Sequence, residues 1–321
     1  MTALIIGVTG QDGAYLAARL IRDGVRVVGT TRDAASADRS RLIALGINDQ
    51  VSLVSMQPAN AQSVFDVIDA VRPRQIYFLA GQSSVALSFE QPVQTMHSIA
   101  TGMLNVLEAV RTIDANIRVL NAGSSECFGD TGGEPATEQT PFRPLNPYAT
   151  AKACAHHLLS SYRLAYGIRG GTAILFNHES PLRPERFVTQ KIVHGARAVA
   201  AGEIPVLKLG NLDVIRDWGW SPDYVEAMVN MLDLDAPEDF VIATGKSVPL
   251  AYFVERAFRN FGLDWREHVV TDAQFKRPTD VAVSVANPSH ARKVLGWNAT
   301  HDLDYVVDAM CDAARGMPTK I

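Results

Sequence analysis

Short apolar runs and amphipathic stretches alternate through the first half of the chain. The apolar runs are rich in Val and Ile, and the stretches between them repeat apolar residues at helical spacing. This alternation predicts parallel strands covered by helices on both faces, a doubly wound α/β fold. We predict strands at 3–8, 25–31, 51–56, 75–80 and 117–123, and helices at 14–24, 61–71 and 103–111.

The alternation loosens after about residue 178, where Pro, Arg and Trp become frequent. The segments SPLRPERF (180–187), IRDWGWSPD (215–223) and KRPTD (276–280) illustrate this change. We therefore predict a first domain over 1–178 and a smaller, ligand-binding domain over 179–321. A segment at about 212–235 is expected to return to the first domain.

Composition narrows the class of protein. The 321 residues are 47% hydrophobic and 20% charged, as in globular domains. With 30 basic and 34 acidic residues, the net charge of −4 argues against nucleic acid as the main partner. The three cysteines lack CxxC spacing, so we expect neither a disulfide framework nor a metal site.

The apolar runs are too short to span a membrane. No stretch approaches 18 uninterrupted apolar residues, and the first residues lack the basic start of a signal peptide. Cysteines that form no disulfide fit the reducing environment of the cytoplasm. We therefore expect a cytoplasmic protein without a membrane partner.

The first predicted strand runs into Gly7, Gly10 and Gly13, which open the first predicted helix. Glycines at this spacing allow a tight turn and let a pyrophosphate approach the backbone at the positive end of the helix. The motif therefore predicts a dinucleotide site.

Arg32 and Asp33 follow the second predicted strand, where cofactor choice is decided. An acidic residue there binds the ribose 2′-hydroxyl of NAD, whereas an arginine pairs with the 2′-phosphate of NADP. Because Arg32 comes first and Arg39 and Arg41 follow, we favour NADP, with NAD as the alternative.

Tyr148 and Lys152 are four residues apart, which places both on one face of a helix. A phenol is a poor base at neutral pH. A nearby ammonium and a positive nicotinamide ring would favour the phenolate and lower its pKa. Ser124 and Glu126 follow the fifth predicted strand, and we expect both side chains on one face of its extended exit. These four residues are the predicted catalytic set.

Longer stretches resemble one family. They are GVTGQDGAYLA (7–17), LFNHESPLRP (175–184), LGNLDVIRDWG (209–219), DYVEAM (223–228) and PEDFVIATG (237–245). Together they are similar to the GDP-mannose 4,6-dehydratases, within the extended short-chain dehydrogenase/reductases, over nearly the whole chain. The resemblance implies a Rossmann domain and a smaller C-terminal nucleotide-sugar-binding domain.

The resemblance also implies site residues. The GDP part of the substrate would be held by Asn177, Lys191, Arg216 and Arg277, with Asp280 near the ribose or base, and Ser84 also on the substrate side. The cofactor would contact Gly7, Gly10, Gln11, Asp12, Gly13, Arg32, Leu79, Ala80, Gln82, Ser83, Tyr148, Lys152, His178 and Arg183.

Several positions depart from the family pattern. Arg32-Asp33 replaces paired arginines, Met56-Gln57-Pro58 replaces a Gly-Asp, and Ser124 replaces the catalytic threonine. Leu145-Asn146 stands where the family has Arg-Ser, and Pro184 where it has Gly. These changes bear on cofactor choice and on assembly, and they leave a homodimer or a homotetramer open.

Three functions are compatible with these residues. The first is a GDP-mannose 4,6-dehydratase. The second is a related GDP-sugar enzyme, namely a GDP-heptose 4,6-dehydratase, an epimerase or a 4-keto reductase. The third is a catalytically silent dinucleotide-binding sensor. Glu126 favours a dehydratase, because a simple reductase needs Tyr148 and Lys152 but no carboxylate base beside them.

Overall fold

The computed structural model describes residues 1–272, 274, 279 and 281–317. The strands are β1 Thr2–Ile6, β2 Arg26–Thr31, β3 Val51–Ser55, β4 Gln75–Phe78, β5 Arg118–Ala122, β6 Gly170–Leu175, β7 Asn177–Glu179, β8 Leu207–Leu209, β9 Ile215–Trp220, β10 Phe240–Ile242, β11 Ser247–Pro249 and β12 Val269–Thr271. The helices are α1 Gln11–Arg22, α2 Ser40–Ala44, α3 Ala61–Val71, α4 Val85–Glu90, α5 Pro92–Met96, α6 Gly102–Ile113, α7 Pro147–Tyr166, α8 Val188–Ala200, α9 Ser221–Asp233, α10 Leu250–Asn260, α11 Ser289–Leu295 and α12 Leu303–Ala314.

The large sheet is parallel and has the order β3-β2-β1-β4-β5-β6-β10. The predicted doubly wound fold is thereby confirmed. The strand order reverses between β1 and β4, and ligands of such sheets bind in the crevice at that point. β1 ends at Ile6 rather than at the predicted residue 8, because Gly7 turns the chain with φ +96°.

Helices cover both faces of this sheet, as the sequence pattern predicts. On one face Leu16 of α1 and Met228 of α9 are fully buried against the strands. On the other, Val64 of α3, Val106 of α6 and Leu159 of α7 are equally buried. Both faces of the strands are therefore buried from solvent, which explains their continuous apolar sequences.

Helix α1 begins earlier than predicted, at Gln11 rather than residue 14. It starts immediately after Gly10, so the glycine turn leads directly into the first helical turn. It ends at Arg22 because Gly24 adopts φ +73°. The helix N-terminus consequently lies at the carboxyl end of β1.

The later part of the chain forms two smaller sheets, β11-β9-β7 and β12-β8. Helices α8, α10 and α12 pack on them around Trp220, Phe253 and Phe258, which are buried. The chain then connects back to the large sheet: α9 contacts α1, and β10 pairs with β6. The domain limits at 178 and 179, and the return at 212–235, stay predictions.

Candidate active site

The glycine turn fits a dinucleotide pyrophosphate. A Cβ on Gly13 would lie 2.4 Å from the Gly7 carbonyl oxygen, and one on Gly7 would lie 3.0 Å from the Ala80 nitrogen. Gly10 caps α1 without a side-chain hydrogen bond to the first turn. The turn is thus compact, and the positive end of the helix faces it with no side chain in between.

Asp12 and His178 form a buried pair behind this turn. Their Oδ2 and Nε2 atoms are 3.0 Å apart, and His178 Nδ1 donates to the Phe176 carbonyl at 2.7 Å. Both partners of the imidazole are acceptors, so both ring nitrogens carry protons. Burial by itself raises the pKa of Asp12, but the charge and hydrogen bond of His178, the hydrogen bond of Gln11 and the charge of Arg183 together hold that pKa far below its usual range. Burial lowers the pKa of His178, yet Asp12 raises it overall.

Gln11 joins the same region to the segment after β7. Its Oε1 accepts from Ser180 Oγ at 2.8 Å, and its Nε2 donates to the His178 carbonyl at 3.3 Å. Asp12 also accepts from Ser221 Oγ at 2.9 Å. The side chains of Gln11 and Asp12 therefore connect the glycine turn to the later part of the chain.

A cavity of about 610 Å³ lies beyond the ends of β2 and β3. Arg32, Gln57 and Pro58 line one side of it, and residues 90–94 line another. Asp33 is turned to other partners: its carboxylate accepts from the Ala35 amide at 3.0 Å and the Ser36 hydroxyl at 2.6 Å. These bonds, with the Ser36 hydroxyl first, lower the pKa of Asp33.

The loop after β4 lies beside the glycine turn. The Leu79 amide donates to the Ile6 carbonyl at 3.0 Å. Gln82 Nε2 donates to the Ser84 carbonyl at 2.7 Å, and Ser84 Oγ caps α4 by accepting from the Leu87 amide at 3.3 Å. Ser83 is exposed between them.

Tyr148 and Lys152 are both buried on the first turns of α7. Lys152 Nζ lies 5.8 Å from the centroid of the Tyr148 ring and donates to the Ala122 carbonyl at 2.7 Å. The Ser124 hydroxyl lies near enough to the Tyr148 phenol to lower its pKa. Three of the predicted catalytic side chains thus meet at the carboxyl end of β5.

Burial dominates the titration of this pocket. It raises the pKa of the Tyr148 phenol, and the nearby Ser124 hydroxyl opposes it only in part. It also lowers the pKa of Lys152 to about 8. The expectation that the neighbouring ammonium lowers the phenol pKa is therefore wrong for the protein chain alone, because loss of solvation is the larger effect.

Glu126 does not lie on an extended exit of β5, so that prediction is wrong. Residues Ser125–Phe128 form a 3₁₀ turn, and Ser124 Oγ caps it by accepting from the Glu126 amide at 3.3 Å. The turn brings the half-buried Glu126 toward the start of α7. There its Oε2 accepts from Asn146 Nδ2 at 3.0 Å.

The predicted substrate residues lie on three elements. Asn177 is on β7, paired with Trp218, and Arg216 is buried on β9. Lys191 is half-buried on α8, where burial lowers its pKa and Asp272 opposes that shift. The other two predicted residues, Arg277 and Asp280, lie outside the described residues.

Two further contacts organise this side. Thr279 Oγ1 donates to the Leu145 carbonyl at 2.9 Å, which links the later domain to the start of α7. Arg183 stacks on Phe187, with its Cζ 3.8 Å from the ring centroid, and its Nε lies 3.3 Å from Glu179 Oε2. Arg183 is near enough to Tyr148 and His178 for its charge to affect both.

Sequence reasoning missed the function of Asp217. Its buried carboxylate accepts four hydrogen bonds, from the Thr244 amide and hydroxyl and from the amides of Gly245 and Lys246, at 2.8–3.1 Å. It therefore holds the turn between β10 and β11 beside Arg216. The RDWG motif supplies the carboxylate of this contact, and the ATG motif supplies donors to it. The sequence alone does not show that the two motifs meet.

The described part of the chain contains no group of three His, Cys, Asp or Glu residues that could hold a metal ion. It also contains no helix long and apolar enough to cross a membrane.

A parallel Rossmann sheet, a glycine turn and a Ser-Tyr-Lys pocket beside a carboxylate define an extended short-chain dehydrogenase/reductase. Residues 4–310 match the family model of GDP-mannose 4,6 dehydratase. The chain belongs to the GDP-mannose 4,6-dehydratase family.

Curated relatives match this chain over most of their lengths. GDP-mannose 4,6 dehydratase 1 of Arabidopsis thaliana is 40% identical, covering 97% of this chain and 88% of the relative. GDP-mannose 4,6-dehydratase of Sinorhizobium fredii is 39% identical, covering 98% and 95%. The human GDP-mannose 4,6 dehydratase is 36% identical, covering 97% and 90%.

Solved structures of the superfamily share the fold. A dTDP-glucose 4,6-dehydratase from Streptomyces venezuelae, solved with NAD, has a TM-score of 0.88 at 18% identity, covering 98% of this chain and 97% of that one. The Thermus thermophilus UDP-glucose 4-epimerase with NAD has a TM-score of 0.86 at 24% identity, covering 98% and 99%.

Proposed function

We propose that this protein converts GDP-mannose into GDP-4-keto-6-deoxymannose. The observation that carries the proposal is the position of Glu126: its carboxylate is held at the start of the helix that bears Tyr148 and Lys152. A carboxylate beside this pair suits removal of a proton next to a ketone, which dehydration needs and simple reduction does not.

The first step is oxidation at C4 of the sugar. Tyr148 takes the proton of the C4 hydroxyl, and Ser124, near the same phenol, orients that hydroxyl. With a pKa of about 8, Lys152 is mostly protonated at neutral pH, and its charge favours the developing phenolate. When bound, the nicotinamide cofactor supplies a hydride acceptor for C4 and returns the hydride to C6.

The second step is loss of water from C5 and C6. Once C4 is a ketone, the C5 proton is acidic enough for Glu126 to remove. The neighbouring Ser125 is a poor acid, so Glu126 also passes a proton to the departing C6 hydroxyl. The overall reaction is redox-neutral, since the sugar is oxidised at C4 and reduced at C6.

The residues around the glycine turn fit a nicotinamide dinucleotide, as the close approaches at Gly7 and Gly13 support. We propose NADP because Arg32 lines the cavity beyond β2 while Asp33 is engaged with Ala35 and Ser36. A 2′-phosphate suits the arginine. Fluorescence titration of the protein with each oxidised cofactor measures the choice, and tighter binding of NAD would overturn it.

The GDP part of the substrate is assigned to the later domain. Asn177, Lys191 and Arg216 are the described residues that we assign to it; Arg277 and Asp280, which the family resemblance adds, lie outside the described residues. Arginine and lysine donors suit a diphosphate. An acidic protein has to concentrate such donors locally.

The decisive experiment incubates the protein with GDP-mannose and a small amount of NADP⁺. We expect a product lighter by one water and no build-up of reduced cofactor in step with turnover. GDP-mannose left unchanged while a GDP-heptose loses water would move the substrate to the heptose. Turnover of GDP-mannose to an isomer of equal mass, or NADPH-dependent reduction of a 4-keto sugar, would replace the dehydratase by an epimerase or a reductase.

We also propose that the protein forms a homodimer or a homotetramer and acts in the cytoplasm. The family membership supports a nucleotide-sugar substrate. Sedimentation of the purified protein measures the assembly, and a monomer at working concentration would contradict it.

A further inference from the structure

Asn146 is the N-cap of α7, with extended backbone at φ −149° and ψ 162°. Its Oδ1 accepts from the Ala149 amide at 2.8 Å, one of the amides that a helix start leaves unpaired. The side chain is buried, so the cap is shielded from water. The same helix bears Tyr148 and Lys152 within its first two turns.

The other end of this amide contacts the carboxylate. Asn146 Nδ2 donates to Glu126 Oε2 at 3.0 Å, while Oδ1 stays on the helix. We propose that Asn146 is a positioning residue for Glu126: its hydrogen bond fixes the carboxylate against α7. This role rests on the function proposed above for Glu126.

The contact has a chemical consequence because the second carboxylate oxygen is left for the sugar. In the described part of the chain, no lysine, arginine or histidine forms an ion pair with Glu126. The hydrogen bond from the Asn146 amide therefore holds one carboxylate oxygen, Oε2. In the proposed elimination the Glu126 carboxylate takes the C5 proton and later passes a proton to the C6 hydroxyl.

Among the described residues, two ionisable groups interact with the charge of Glu126: Tyr148 on α7 and Cys127, which follows Glu126 in the 3₁₀ turn. Lys152 on α7 acts in turn on Cys127, and Arg183 after β7 acts on Tyr148. Burial keeps the Cys127 thiol neutral by raising its pKa to about 12. None of these groups changes when Asn146 alone is substituted, so a shifted profile reports on the amide.

The sharpest variant is Asn146→Asp. Aspartate caps a helix about as well as asparagine, so α7 is retained. It cannot donate, however, and it places a second anion beside Glu126. We expect the acidic limb of the kcat profile to move up by about one pH unit or more, and kcat at pH 7 to fall about tenfold or more. Oxidation at C4, read as cofactor reduction in a single turnover, should remain.

Asn146→Ser separates the two contacts further. Serine is also a good N-cap, but its hydroxyl is shorter than the amide. We expect stability close to that of the wild type and a smaller shift of the acidic limb than with aspartate. Asn146→Ala, which removes both contacts, should also lower the urea midpoint of unfolding, because the helix loses its N-cap.

Asn60 provides the matched control. It caps α3 in the same way, accepting from the Ser63 amide at 3.0 Å, with no catalytic carboxylate assigned beside it. Asn60→Asp should keep α3 and leave the pH profile unchanged; because Asn60 is exposed, it should also lower urea stability less than Asn146→Asp does. An equal shift in both variants would make the effect a general one of added charge and would overturn the proposal.

The two proposals fail separately. The protonation of Glu126 is also followed without substrate, by ¹³C NMR of labelled Glu carboxyls with Glu126→Gln for assignment. An unchanged titration in Asn146→Asp overturns the role of Asn146, whatever the enzyme does to GDP-mannose. A shifted titration in a protein that removes no water from GDP-mannose supports the role and overturns the proposed function.

Discussion

Lys152 and Lys191 show how differently two regions of this molecule treat a positive charge. Lys152 is buried at the end of β5 and donates to a main-chain carbonyl, so loss of solvation lowers its pKa to about 8. Lys191 is half-buried on α8 and feels the charge of Asp272. The pocket that moves protons brings the pKa of its lysine close to neutral pH. The face assigned to the diphosphate keeps its cation near a carboxylate.

The comparison has an energetic side. A charged group that is buried against a carbonyl alone destabilises the folded chain, whereas one beside a carboxylate recovers part of that loss. A buried charge that lowers stability in this way is retained where function needs it. We therefore expect changes in the first pocket to act on kcat and stability, and changes on the second face to act on KM.

Glu126→Gln gives the largest expected effect. Glutamine keeps the size of the side chain but cannot accept the C5 proton, and loss of a general base reduces rates by about 10²–10⁴-fold. Since Glu126 serves twice, we expect the upper end of that range for water loss, with C4 oxidation retained. Solvent deuterium should enter C5 with the wild type and not with the variant.

The exposed Glu134 supplies the control for this variant. Glu134→Gln should dehydrate GDP-mannose at the wild-type rate. Near wild-type dehydration by Glu126→Gln would show that the base lies elsewhere.

Arg216→Ala and Lys191→Ala test the second face. Both residues are assigned to groups remote from the reacting carbons, so their contacts are equally strong before and during reaction. A charge-assisted bond contributes about 1.5–3 kcal/mol, which corresponds to a rise in KM of about 10- to 150-fold. The buried Arg216 should lie at the upper end and Lys191 at the lower.

Lys208→Ala is the matched control, because Lys208 pairs with the same Asp272 at 3.6 Å but is more exposed. Its KM should stay near that of the wild type. A large fall in kcat with unchanged KM in Arg216→Ala would place this arginine in the chemistry instead.

Lys152→Met tests the buried lysine through the free energy of unfolding, and here the expected change is a modest increase. The folded pKa of about 8 is below the ordinary 10.5, so the folded protein binds the proton less well than the unfolded chain. Removing this charge should stabilise the ligand-free protein at pH 7 by about 1–3 kcal/mol while activity is lost. Urea unfolding measures it.

The pH dependence of stability provides a second reading. Wild-type stability should rise between about pH 8 and 10.5, because the folded state loses the proton first, and Lys152→Met should lack this contribution. Lys293→Met, at an exposed lysine, should change neither the stability at pH 7 nor the dependence of stability on pH. Equal or lower stability of Lys152→Met at pH 7 would contradict the burial argument.

The sequence by itself determined the layered fold and the local motifs. Continuous apolar strands predicted the parallel sheet, because a strand buried on both faces has no polar side. The glycine turn at Gly7 and the four-residue spacing of Tyr148 and Lys152 were equally readable. The residues that form each of these two motifs lie only a few positions apart along the chain, so the sequence shows them together.

Only the tertiary structure decided which distant residues share a proton or a charge. Asp12 meets His178 across 166 positions, and Asn146 meets Glu126 across 20. The same holds for the pKa of Lys152, which depends on burial contributed by several elements. Hydrogen bonds and desolvation act over a few ångströms in space, so no periodicity along the chain encodes them.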